Sequence, residues 1–118
     1  MATTANVTIT VVTSGDIVIN DSYKITENTA SPAQSEYIDL ASGTNTITLP
    51  TGGSATVVGV IIIPPAGNTN LIIAKGVTGD TGIPLHLTNP SFIALDTTEV
   101  AFDLNGAAAI TGVRLIYV

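Results

Sequence analysis

Asn6-Val7-Thr8-Ile9-Thr10-Val11-Val12-Thr13 alternates apolar and hydroxyl-bearing residues, and that period of two decides the fold. In an extended chain successive side chains point to opposite faces, so Val7, Ile9 and Val11 share one face while Thr8 and Thr10 share the other. A helix would scatter the same residues around its circumference. Their β-branched side chains also fit a pleated surface better than a helical one. Ser14-Gly15 supplies a turn, and residues 16–20 are expected to return alongside 6–13 as an opening hairpin.

The alternation recurs to the end of the chain, and no long stretch shows helical periodicity. Residues 21–35 are polar and hold Asn28, Ser31 and Pro32, which reads as a long loop around a short strand at 23–26. Residues 36–40 and 45–49 are expected to pair across Ala41-Ser42-Gly43. Residues 55–63 are apolar on both faces and belong at the centre of a sheet, covered on both sides. Another strand, 71–75, follows a loop containing Pro64, Pro65, Gly67 and Asn68.

Ile83, Leu85 and Leu87 then face one way while Pro84, His86 and Thr88 face the other, and Pro84 marks an edge position. Residues 92–95 and 99–104 are further strands, with Val100, Phe102 and Leu104 inward. Asn105-Gly106 is a strong turn signal, and the last strand, 110–118, ties the C-terminus into a sheet. Eight to ten short strands predict an all-β, single-domain antiparallel β-sandwich over residues 1–118, of jelly-roll or Greek-key type. Residues 1–5 are expected to form a flexible N-terminal arm.

Composition narrows the function. The 118 residues include three basic side chains, one histidine and no cysteine. Disulfides, thiolate chemistry and zinc ribbons are therefore excluded. A chain of this length buries about two thirds of its unfolded surface, so packing has to supply the stability. Only 10% of residues are charged against 45% hydrophobic, which leaves Thr, Ser, Asn and Gly to face water. The net charge of −6 repels phosphate backbones and anionic membranes, so neither nucleic acid nor membrane is expected as a direct partner.

Residues 1–5 lack the basic and apolar regions of a secretory signal, which predicts a cytosolic start. The densest apolar stretch, 55–63, stops at Pro64-Pro65 and is far shorter than the ~20 residues that span a bilayer. Asn6-Val7-Thr8 and Asn20-Asp21-Ser22 match the glycosylation sequon, but without a secretory route they read as chance matches.

Asp80-Thr81-Gly82 is the one tripeptide with a catalytic look, since retroviral-type aspartic proteases use it and assemble two carboxylates by dimerising. Here Val77-Thr78-Gly79 precedes the aspartate in place of an apolar strand, and Ile110-Thr111-Gly112 comes too soon to be the partner element. A shared proton also needs a rigid buried elbow, whereas a glycine-flanked aspartate favours a turn. Residues 76–82 lack the lysine and helix of a phosphate loop.

His86 stands alone, with no nucleophile motif near it, and reads as a surface imidazole. The acids Asp16, Asp21, Asp39, Asp80, Asp96, Asp103, Glu27, Glu36 and Glu99 are dispersed, without the spacing of a calcium loop. Most are expected as solvated turn or strand-face residues. No catalytic, cofactor-binding or metal site is expected, and enzymatic activity is not expected. Arg114 shares a strand face with Ile116 and Val118, and is expected to pair with a carboxylate such as Asp103 across the Asn105-Gly106 turn or to contact another subunit. Ile61-Ile62-Ile63-Pro64-Pro65 reads as core running into a stiff corner.

Sheet edges are commonly guarded by charge, lysine above all, and this chain has only Lys24 and Lys75. Coverage by a neighbouring subunit would explain the deficit. Gly76-Val77-Thr78-Gly79-Asp80-Thr81-Gly82-Ile83-Pro84-Leu85, Pro90 and the terminal Gly112-Val113-Arg114-Leu115-Ile116-Tyr117-Val118 resemble small virion structural proteins of tailed bacteriophages, over residues 55–118. The resemblance rests on turn residues and apolar strands. It implies a head-decoration or cement protein on the phage particle surface, assembled in the host bacterial cytoplasm. Implied with it are a major capsid protein or other virion subunits as partner and a homo-oligomer, with a trimer favoured. The segments expected to order against neighbours are residues 1–5 and 21–35. A tail, baseplate or fibre component is the alternative. A carbohydrate-binding module also fits the fold, with only Tyr23, Tyr37 and Tyr117 to stack on sugars.

Overall fold

Short apolar alternations separated by glycine and proline turns give ten strands and no helix in a computed structural model that describes residues 3–29, 34–50, 57, 59–76, 79–95 and 101–118. In chain order they are β1 (Thr3–Val12), β2 (Asn20–Thr29), β3 (Gln34–Leu40), β4 (Gly43–Thr48), β5 (Gly59–Ile63), β6 (Ile72–Lys75), β7 (Ile83–Pro84), β8 (Ser91–Ala94), β9 (Ala101–Gly106) and β10 (Ile110–Tyr117). Expectations that fall on residues 1–2, 30–33, 51–56, 58, 77–78 and 96–100 lie outside the described residues.

Eight strands form two four-stranded antiparallel sheets, ordered β3-β10-β5-β8 and β4-β9-β6-β7. Each strand pairs with its counterpart about the β6–β7 turn: β3 with β10, β4 with β9, β5 with β8 and β6 with β7. That nested ladder, rolled so that β10 also meets β5 and β9 meets β6, is the winding of a jelly roll. The expected all-β sandwich is what forms.

Between the sheets lie Leu40, Ile47, Val60, Ile62, Ile72, Phe102, Leu104, Val113 and Leu115, all buried. Alternation places them: Val60 and Ile62 point inward from β5, while Ile61 and Ile63 are half-buried on its other side. β5 is central, as its composition predicts. The C-terminus is tied in as well, since Val118 donates its amide to the Gly59 carbonyl at 3.0 Å and receives the Gly59 amide at 3.3 Å.

Two expected hairpins are instead corners between sheets. β3 and β4 lie in different sheets, as do β9 and β10. Asn45 holds the first corner: Oδ1 accepts the Ala41 amide at 2.9 Å, and Nδ2 donates toward the carbonyls of Ala41, Gly43 and Leu104 at 2.9, 3.0 and 3.2 Å. At the second, Asn105 and Gly106 remain inside β9, paired to Thr44 and Gly43. A Cβ on Gly106 would stand 2.8 Å from the Ala108 carbonyl oxygen and 3.1 Å from that of Ala41. The glycine there answers a close backbone approach, and no two-residue turn forms.

The N-terminal hairpin forms with a longer loop and a longer return strand than expected. Thr13 closes its tip, with the amide donating to the Ile19 carbonyl at 2.9 Å, the hydroxyl donating to the Ile17 carbonyl at 2.8 Å, and Oγ1 accepting the Ile19 amide at 2.7 Å. Residues 16–19 therefore belong to the loop, and the return strand is β2, which begins at Asn20 and extends the short strand expected at 23–26 through much of the segment read as a long loop. Register sets Ile9 opposite Tyr23 and Thr10 opposite Ser22. Because side chains alternate at period two, this pairing puts Ile9 and Tyr23 on one face and Thr10 and Ser22 on the other, while Asp21 joins the first face opposite Val11. Residues 3–5 are part of β1 and not a free arm.

Candidate functional site

Two surfaces in this structure are apolar and open. The first is the β1–β2 hairpin, whose strands pair with each other and, among the described residues, make no extended contact with either four-stranded sheet. One face carries Val7, Ile9, Val11 and Tyr23 together with Asp21, and the other Thr8, Thr10, Ser22 and Lys24 together with Val12. Thr10 and Ser22 hydroxyls lie 3.1 Å apart across the polar face. At the tip Ile17 and Val18 are 72% and 75% exposed, an outward display that the Thr13 hydrogen bonds hold in place. Asp16 and Asp21, both exposed, flank it.

The second is a groove of about 640 Å³ along β8, the last strand of the β3-β10-β5-β8 sheet, and bordered by β6, β7 and β9 of the facing sheet. Ala74, Ile83, Leu85, Phe92, Ile93 and Leu95 give it an apolar lining, and Lys75 is the only charged residue among the described residues that line it. β7, the edge of the facing sheet, contributes Ile83, which is 69% exposed. Pro84 caps that edge as the sequence predicts, because proline has no amide to offer a further strand.

The residues singled out for chemistry are placed apart. Asp80 and Thr81 are exposed between Gly79 and Gly82, which hold positive φ angles of 101° and 79°. That is turn geometry, far from a buried carboxylate elbow. His86 is exposed and its Nδ1 accepts the amides of Thr88 at 3.1 Å and Asn89 at 2.9 Å, so the ring organises a bend. Among the described residues no three His, Asp or Glu side chains gather where they would hold a metal ion.

Arg114 does not meet Asp103, because β10 and β9 belong to opposite sheets. It donates from Nε to Ser35 Oγ at 2.9 Å and lies 5.7 Å over the Tyr37 ring, both on the neighbouring strand β3. Asp103 is buried and not solvated, and accepts a 3.0 Å hydrogen bond from the Thr46 hydroxyl. Asp39 takes the amide of Gly112 at 3.0 Å, where β10 shifts register against β3 and Gly112 adopts φ 82°. Asn68, also buried, donates to the carbonyls of Asn70 and Leu87 at 2.9 and 2.8 Å, fastening the corner after Pro64-Pro65.

Sequence reasoning found the hairpin's first strand but missed the apolar tip and the groove. Ile17-Val18-Ile19 was the available signal, three β-branched residues too short of polar partners to be an ordinary loop. No family model, curated protein or solved structure matches this chain.

Proposed function

We propose that this chain is a non-enzymatic structural protein of a tailed-phage particle, a head-decoration or cement protein that binds the assembled shell as a homo-oligomer. The observation that carries the reading is the hairpin, which holds large apolar side chains out in water on a built turn. Such display marks an interaction surface. The resemblance of residues 55–118 to small virion proteins supplies the setting, with the major capsid protein as the partner. Jelly rolls serve capsid and lectin domains alike, so the choice between functions falls to the surfaces and not to the fold.

The mechanism is linkage. A protein that binds only the assembled shell adds its binding free energy to the particle and none to free capsid subunits. Electron microscopy of the native particle tests this: many copies on the head are expected, and density restricted to the tail would replace the cement reading with a tail or baseplate component. Tyr37, 72% exposed beside Arg114, favours the sugar-binding alternative to the extent that an exposed ring can stack on a pyranose. Glycan-array binding lost in Tyr37→Ala would establish it, and an array without binding would remove it.

A further inference from the structure

We propose that the hairpin tip of one copy seats in the β7/β8 groove of a second copy, with Asp16 meeting Lys75, so that each chain donates one hairpin and receives another. This deepens the homo-oligomer part of the reading above and names its contact.

Both halves of the contact are present and open in the same chain. A two-stranded hairpin is marginal in water unless further strands or a packed face support it, and here neither sheet of its own chain does so. Ile17, Val18 and Ile19 form a short apolar plug. The groove, at about 640 Å³, lies within the range of roughly 300–1,000 Å³ in which apolar pockets bury a compact group. None of its lining residues comes from the hairpin.

Position argues for a second copy as the occupant. The hairpin feeds into β3, at one edge of the β3-β10-β5-β8 sheet, and the groove runs along β8 at the other. Three strand spacings, roughly 14 Å, separate those edges, so donating and receiving do not compete for the same surface. Contacts that join unlike surfaces of identical chains close into rings when the rotation permits. Charge agrees: the acids nearest the tip are Asp16 and Asp21, and Lys75 is the one charge among the groove's described lining residues. An exposed pair of this kind contributes little affinity but selects register and partner.

The test uses the purified full chain and no particle, so its failure is distinct from failure of the cement reading. Ile17→Asp spoils the tip and Ile83→Asp spoils the groove. Both residues are exposed, and circular dichroism checks that the fold is retained. Light scattering after size exclusion at about 100 μM would nearly saturate a contact of micromolar Kd. Wild type is expected as an oligomer, and each variant as a monomer of 12.0 kDa. A one-to-one mixture is expected at twice that mass, because the Ile83 variant keeps a good tip and the Ile17 variant a good groove. A monomeric wild type, a variant that keeps the wild-type mass, or a mixture that stays monomeric overturns the proposal.

Discussion

Tyr117 on β10 donates its phenolic hydrogen to Glu36 on β3, Oη to Oε1 at 2.6 Å. The tyrosine is buried. Burial first, then the hydrogen bond and the negative charge of Glu36, hold its ionisation well above the usual tyrosine range. The bond staples the edge strand β3 to the central strand β10, at the end of the ladder where their pairing reaches Gln34.

The pH dependence follows from that direction. A folded-state value raised above the unfolded 10.0 contributes stability that is fully present below pH 10 and is lost as pH rises beyond it, because only the unfolded chain releases the proton easily. Urea unfolding at a series of pH values is expected to show wild-type stability falling above pH ~10. Tyr117→Phe should cost about 1 kcal/mol at neutral pH and show a shallower alkaline decline. Parallel declines in the two proteins would mean that Tyr117 has no part in it.

Asn45 is expected to matter more than any other polar side chain at the β3–β4 corner, since its amide satisfies one backbone amide and faces three carbonyls. Asn45→Ala should lower the unfolding free energy by about 2–3 kcal/mol, the sum of a few net hydrogen bonds and unmet partners. Asn45→Asp should be no better, because it keeps the acceptor and turns a second oxygen toward the carbonyls. An unfolding free energy from urea titration changed by less than about 0.5 kcal/mol, the size of an ordinary surface substitution, would show that the corner holds itself.

Why the corners misread as hairpins is physical. Ala41-Ser42-Gly43 and Asn105-Gly106 carry real turn chemistry, but turn chemistry specifies a local reversal and says nothing of which sheet the next strand joins. That choice is made by β3 pairing with β10 and β4 with β9, contacts far apart in sequence. Alternation, in contrast, is local, so Phe102 and Leu104 could be assigned to the core from spacing alone, whereas the unbroken apolar run of β5 hid which of its faces turns inward. Only the 23–26 part of β2 was legible, because Asn20, Asp21, Ser22, Glu27 and Asn28 on either side have poor strand propensity, and pairing with β1 overrides it. The groove has no sequence signature, since Ala74, Leu85 and Phe92 meet only after the chain has rolled up.

Truncation from either end should have opposite effects. Among the described residues no buried core side chain comes from the hairpin, the earliest being Leu40, so a chain lacking residues 1–29 is expected to unfold cooperatively with a Tm close to that of the full chain. Removing residues 110–118 withdraws Ile110, Val113, Leu115, Tyr117 and Val118, five of the thirteen buried apolar side chains among the described residues. At about 2 kcal/mol each that is roughly 10 kcal/mol, comparable to the whole stability of a domain this size. It also strips β3 and β5 of the strand between them. The C-terminal deletion should therefore give no cooperative transition in differential scanning calorimetry. An N-terminal deletion that fails to fold would show that the hairpin supports the sandwich after all, and its apolar tip would then need an explanation within the chain.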